Sequence, residues 1–205
     1  MFLAAAVYAD GPIIRPTLTV GGASESFRIL AKKAELFNRM PVERSSVKVD
    51  CNENIITFTI EMDDNDLLCE AVNDQDNLKD LGDAIQIFLK SEKETFLWEF
   101  QIAPNGKKSC FFHLGAGRMF YPANAAAYDF TVNNTVSKGK WIMTAAIPLT
   151  IFKEKGLKFT NDEKWTFVAV RHNFSRFFNA REISSYPQTV NNTANTDFFG
   201  SLILK

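Results

Sequence analysis

Histidine and cysteine are scarce in this chain of 205 residues, at two and three. His113 and His172 are too few for a three-histidine metal site, and neither belongs to an H-E-x-x-H pattern. Cys51, Cys69 and Cys110 cannot all pair, and none has the C-x-x-C spacing of zinc or dithiol chemistry. They read as small buried hydrophobes. No apolar run approaches the ~18 residues of a membrane-spanning helix, so no membrane span is expected. Walker loops, dinucleotide fingerprints and G-x-S-x-G elbows are also missing. An excess of one charge is lacking too. With 23 Lys+Arg against 24 Asp+Glu the formal charge is −1, which offers no basic field to a phosphate backbone and points away from nucleic acid. There is no internal repeat and no linker rich in Gly, Ser or Pro, so residues 1–205 are expected to form a single domain, a length that all-β folds often use as one unit.

What the chain does have is alternation in twos. Ile56, Phe58, Ile60 and Met62 alternate with Thr57, Thr59 and Glu61; Ile85, Ile87 and Leu89 with Ala84, Gln86 and Phe88; Phe96, Trp98, Phe100 and Ile102 with Leu97, Glu99, Gln101 and Ala103. That period belongs to strands with one face in a core. Further strands are expected near 47–50, 67–72, 109–114, 129–132, 141–147, 165–171 and 202–204, about ten in all by this pattern. Pro104-Asn105-Gly106 and Ser137-Lys138-Gly139-Lys140 supply turn chemistry between them. The expected fold is all-β, an antiparallel β-sandwich of immunoglobulin-like or jelly-roll-like layers with one or two short helices. One helical turn is expected at 149–155, after Pro148. Residues 24–38, with Phe27, Leu30, Ala31, Ala34 and Phe37 at helical spacing, read as a helix or as irregular chain packed on the sandwich. Residues 115–127 read as a long loop, a length often functional in compact domains.

Charge is segregated along the chain: 61–83 holds nine acids and one base, 138–181 nine bases and three acids. The stretches are solvated loops or, in the acidic one, a cation site, with Asp63, Asp64 and Asp66 as calcium ligands. Two carboxylates about 5–10 Å apart hydrolyse glycosides, and Asp83 and Glu99 are the acids to watch for that. If Ile85 and Ile87 face the core, Gln86 faces out; if Trp98, Phe100 and Ile102 face it, Glu99 and Gln101 face out. On neighbouring strands these amides and the carboxylate would form one polar patch suited to sugar hydroxyls. The apolar Met1 to Val7 followed by Tyr8 and Ala9 is either the remnant of a signal peptide or a first strand.

Several fragments in order resemble the family 9 carbohydrate-binding modules and the wider DOMON-like superfamily. They are Ser46-Val47-Lys48-Val49-Asp50, Asp63-Asp64-Asn65-Asp66-Leu67, Gly82-Asp83-Ala84-Ile85-Gln86-Ile87-Phe88-Leu89 and Phe100-Gln101-Ile102-Ala103-Pro104-Asn105-Gly106. They continue with Trp141, Ala145-Ala146-Ile147-Pro148-Leu149, Phe152, the run 165–171, Ser184-Ser185-Tyr186-Pro187 and Phe199-Gly200-Ser201-Leu202. The resemblance implies a secreted, periplasmic or cell-surface sandwich that binds sugars without chemistry and accompanies a glycoside hydrolase or other companion domains. In that family, two aromatic side chains clamp the ligand, polar residues bond it, and some members hold calcium. Here Gln86 replaces the family's acidic residue, Tyr186 stands where tryptophan is usual, and Leu81 replaces the other tryptophan.

The expected function is non-catalytic carbohydrate binding, of the xylan or cellulose class. The contacts are Gln86, Gln101 and Tyr186, with Glu99, with Arg171 as a ligand contact or a loop brace, and with Tyr121 as a substitute aromatic wall beside Tyr128 or Phe120. No cofactor is required beyond the possible calcium. The alternatives are a haem-binding DOMON-like domain using Met119, His113 or Met143 as axial ligands, and an accessory module that has lost its ligand.

Overall fold

The computed structural model describes residues 16–30, 39–115, 120–122, 129–176, 181–189 and 196–204. Its strands are β1 (Thr17–Thr19), β2 (Glu25–Ser26), β3 (Arg28–Ile29), β4 (Ser45–Cys51), β5 (Ile55–Asp63), β6 (Ala84–Ser91), β7 (Leu97–Ile102) and β8 (Lys108–His113). They continue with β9 (Phe120–Pro122), β10 (Thr131–Ser137), β11 (Lys140–Pro148), β12 (Trp165–Asn173), β13 (Glu182–Tyr186) and β14 (Gly200–Ile203). One helical turn, α1 (Thr150–Lys153), follows Pro148, and two 3₁₀ turns cover Leu78–Asp80 and Thr196–Phe198. No helix among the described residues is long and apolar enough to cross a membrane.

Two sheets form the sandwich. The smaller runs β10-β11-β5-β4-β2, and the larger runs β1-β14-β12-β6-β7-β8-β9, with β13 sharing the β14 edge of β12 and β3 pairing β13. All pairs are antiparallel except β1 with β14, which run parallel. Between the layers, Val47, Val49, Ile56, Phe58, Ile60, Met62, Trp141 and Met143 of the small sheet meet Ile85, Ile87, Trp98, Phe100, Trp165 and Phe167 of the large one. Burial at the period of two is what holds the register, since a one-residue slip would turn every inward side chain outward.

Alternation of burial fails where the large sheet is deepest. Every residue of β7 and β12 is buried, as is all of β6 except Lys90. A second, thinner layer of chain covers the outer face of these strands. Phe88, Leu97, Val168, Val170 and Phe199 form one apolar cluster there, with Ile183 against it. Ala71, Leu78, Ala84 and Ala103, with Cys69 and Leu81, form another. Leu81 is thus part of this covering layer.

The expected strand at 67–72 is absent. That segment makes a single bridge, Cys69 to Gly82, because it is pinned from the side: Asp83 accepts the Leu68 amide, and Gly82 lies so close that a Cβ there would sit 2.4 Å from the Leu68 carbonyl. The described part of 24–38 is extended rather than helical. Phe27 is fully buried, while Glu25–Ser26 pairs β4 and Arg28–Ile29 pairs β13, so cross-strand bonds outweigh the 3.6-residue pattern. Residues 31–38, the start of the chain at 1–15, and most of the loop at 115–127 lie outside the described residues. The cysteines are free, two half-buried and Cys110 buried.

Candidate functional site

The outer face of β6, β7, β8 and β12 carries a polar row between the two covering clusters. Register brings it together: Gln86 stands opposite Gln101, and Glu99 opposite Phe88 and Phe111. The expected patch exists, yet it is not a wet surface, for Gln86 and Gln101 are each 1% exposed and Glu99 5%. Its bonds point one way. Gln86 Nε2 and Gln101 Nε2 both donate to Glu99 Oε1, the latter at 2.5 Å, and His113 Nε2 lies 2.6 Å from Glu99 Oε2. Gln101 also donates to Asn77 Oδ1 at 3.0 Å and accepts the Lys79 amide at 3.2 Å. A buried carboxylate is stable only with such donors around it.

His172, which alternation alone did not single out, completes the row. Its Nε2 bonds the Gln86 carbonyl oxygen, which can only accept, so Nε2 carries the proton and Nδ1 has a lone pair. That Nδ1 is buried and has no hydrogen-bond partner among the described residues. Burial first, then the charges of Arg181 and Lys79, push the imidazole down to about 3, so it stays neutral at physiological pH. The rim beside it is cationic and partly exposed. Lys79 Nζ and Arg181 Nη1 both bond Asp80, at 3.1 and 3.3 Å, and Arg181 also donates to the Lys79 carbonyl and lies over the Phe174 ring. Two bonds from cationic side chains hold the Asp80 carboxyl below its ordinary value even though burial opposes this.

Tyr186 is not beside Gln86. It pairs with Ala169, whose side chain is in the inter-sheet core, so strand parity turns Tyr186 to the inner face. There its ring meets Phe167 at 6.1 Å and its hydroxyl donates to the Thr17 carbonyl at 2.9 Å. Arg171 also points inward, next to His172 in sequence and on the other face of the strand. It donates to Asp64 Oδ2 at 2.8 Å, Ser45 Oγ at 3.0 Å and Glu43 at 3.5 Å, tying the large sheet to the small one as a brace. Tyr121 stands opposite Phe112 in β9; its side chain, Phe120's, Tyr128 and Met119 lie outside the described residues. Asp83 and Glu99 are each spent on structural donors. Asp83 accepts Leu68 N at 2.5 Å and Phe174 N at 2.8 Å, and burial raises its carboxyl to about 7.

The acidic cluster forms with one change of membership. Asp63 is exposed and stands opposite Lys140, because strand parity turns it away from Asp64. Glu43 takes its place, and ligand oxygens of Glu43, Asp64 and Asp66 lie within 4.8 Å of one another. The buried Asn173 donates its Nδ2 to Glu43 at 3.0 Å, and its Oδ1 has no partner among the described residues. Three carboxylates are donor chemistry for a hard cation such as calcium, and the guanidiniums of Arg171, at 2.8 Å from Asp64, and Arg176, at 3.6 Å from Asp66, offset part of their charge. Haem ligation finds less. Met143 is fully buried in the core and His113 has its Nε2 against Glu99, so neither is presented as an axial ligand.

The chain is thus a two-sheet sandwich with a buried polar row on the outer face of its larger sheet. The comparisons agree on the fold. A protein of Bacteroides uniformis, provisionally called carbohydrate-binding, superposes with a TM-score of 0.73 at 10% identity, over 93% of this chain and 99% of that one. A family 9 carbohydrate-binding module of Caldicellulosiruptor kristjanssonii matches in its cellotriose complex (TM-score 0.57, 93% of each chain) and its glucose complex (0.58, 93% of this chain and 95% of that one), both at 15% identity. This chain therefore has the fold of the family 9 modules. No family model and no curated protein matches its sequence.

Proposed function

We propose that this chain is one carbohydrate-binding module that holds a glycan without cleaving it. The observation that carries the reading is the polar row Gln86, Glu99, Gln101 and His172, in a fold shared with modules whose complexes contain cellotriose and glucose. Glu99, its donors and the buried His172 orient one another as a floor. Lys79, Arg181 and Asn77 stand at the rim as the partly exposed side chains able to bond sugar hydroxyls. An ordered polar floor lowers the cost of binding, because its rotamers are already paid for. The ligand class is a β-linked plant-type polysaccharide, and the module acts outside the cytoplasm beside a polysaccharide-degrading partner. A calcium ion at Glu43, Asp64 and Asp66 belongs to the same proposal and stabilises the sandwich without touching the glycan.

Isothermal titration against cello- and xylo-oligosaccharides tests this. Saturable heat from one of them, lost in His172→Ala and Gln86→Ala with the circular dichroism unchanged, is expected, with Tyr186→Phe leaving the affinity intact. No heat with either series would remove the reading.

A further inference from the structure

We propose that β10 is the seam of a homodimer, in which two copies of this strand pair antiparallel and join the small sheets edge to edge. β10 is the last strand of its sheet, bonded to β11 alone among the described strands. Its other edge therefore presents a row of backbone donors and acceptors. Edge strands are ordinarily protected by charge, proline or shortness. β10 is seven residues long, Thr131-Val132-Asn133-Asn134-Thr135-Val136-Ser137, and contains neither charge nor proline. Thr131, Asn133, Thr135, Val136 and Ser137 are exposed, Val136 by 53%.

The occupant is chosen by the strand's own order of residues. A two-fold axis through Asn134 sets Val132 opposite the Val136 of the second copy on one face. On the other face it sets Asn133 opposite Thr135 and Thr131 opposite Ser137. Apolar side chains meet apolar ones and hydroxyls meet hydroxyls or an amide, as stable cross-strand pairs require. The hairpin turn at Lys138-Gly139 lies just beyond Ser137, so the seam ends at the pair of Thr131 and Ser137. Asn134 fixes the strand from beneath: it donates to the carbonyls of Ala103 and Pro104 and accepts from the Trp141 indole at 3.1 Å. The edge is thus held in place before a partner arrives, which reduces the entropy cost of pairing.

Edge-to-edge pairing of the small sheets does not involve the outer face of either large sheet. Where that face binds glycan as proposed above, the dimer is bivalent and gains avidity on a polymer without any new sugar contact. The dimer itself does not depend on that reading.

Sedimentation equilibrium over roughly a hundredfold range of concentration, without sugar, tests the seam. A concentration-dependent monomer and dimer is expected. In Asn133→Lys/Thr135→Lys the axis places lysine directly opposite lysine, and the protein should sediment as monomer with an unchanged circular dichroism spectrum. Asn133→Glu/Thr135→Lys places opposite charges in the same pairs and should restore the dimer. A wild-type monomer at every concentration, or a dimer unaffected by the paired lysines, would overturn the proposal, whatever the sugar titrations show.

Discussion

Arg171 and His172 are consecutive in β12 and face opposite ways: Arg171 reaches between the sheets to Asp64 at 2.8 Å, and His172 bonds Gln86 on the outer face. One strand therefore carries the tie that holds the layers together and, one residue later, a polar group of the candidate site. Displacement of the brace would displace the site.

Replacing Arg171 by Met should cost about 3–5 kcal/mol, because it strands the buried Asp64 and Glu43 carboxylates. Arg171→Lys should recover only part of this, since one ammonium cannot repeat the planar fork that spans Asp64, Glu43 and Ser45. Urea denaturation of the three proteins measures both numbers.

Glu99 is the acceptor on which the outer row converges, so Glu99→Ala leaves three donors without their partner. A loss of about 3 kcal/mol or more is expected from such unsatisfied buried groups, together with loss of sugar binding. Glu99→Gln should be milder in stability, yet it turns an NH2 toward one of those donors. Denaturation and titration of both variants separate folding from recognition.

Two residues make stability depend on pH with opposite signs. An unfolded chain protonates His172 below about 6.5, and the native chain resists until about 3. The contribution from His172 is complete above pH 6.5 and is lost as pH falls toward 3. Asp83 titrates near 3.8 when unfolded and near 7 when native, so its contribution is complete below 3.8 and is lost as pH rises through 7. Unfolding free energies from pH 3 to 8 should lose the first slope in His172→Gln and the second in Asp83→Asn.

Calcium should raise the melting temperature of the wild-type protein and chelation should return it, if Glu43, Asp64 and Asp66 take the ion. Asp66→Asn should weaken the response without removing the Arg171 to Asp64 bridge. A melting temperature indifferent to calcium and chelator would set the ion aside.

Gly82→Ala should destabilise by more than about 2 kcal/mol, because Gly82 has φ +124° and its Cβ would meet the Leu68 backbone at 2.4 Å. The same change should impair sugar binding, since Asp83 and the segment that carries Asn77 and Lys79 hang from this contact.

Alternation in the sequence was enough to announce the sandwich, its core strands and the gathering of Gln86, Glu99 and Gln101 on one face. Period-two burial is a local property, written in each strand separately. The helical turn after Pro148 was equally legible, because proline acts on its own neighbours. Four features depended on tertiary structure. Gln86 and Gln101 became buried through a covering layer drawn from distant parts of the chain. Tyr186 faced inward because of how β13 met β12, a parity no isolated Ser-Ser-Tyr discloses. Glu43 replaced Asp63 in the acidic cluster through a contact between segments about twenty residues apart. His172 joined the row because its partner, Gln86, is far away in sequence. Pattern tells which side chains seek the interior; only the pairing of strands decides which interior they reach, and beside whom.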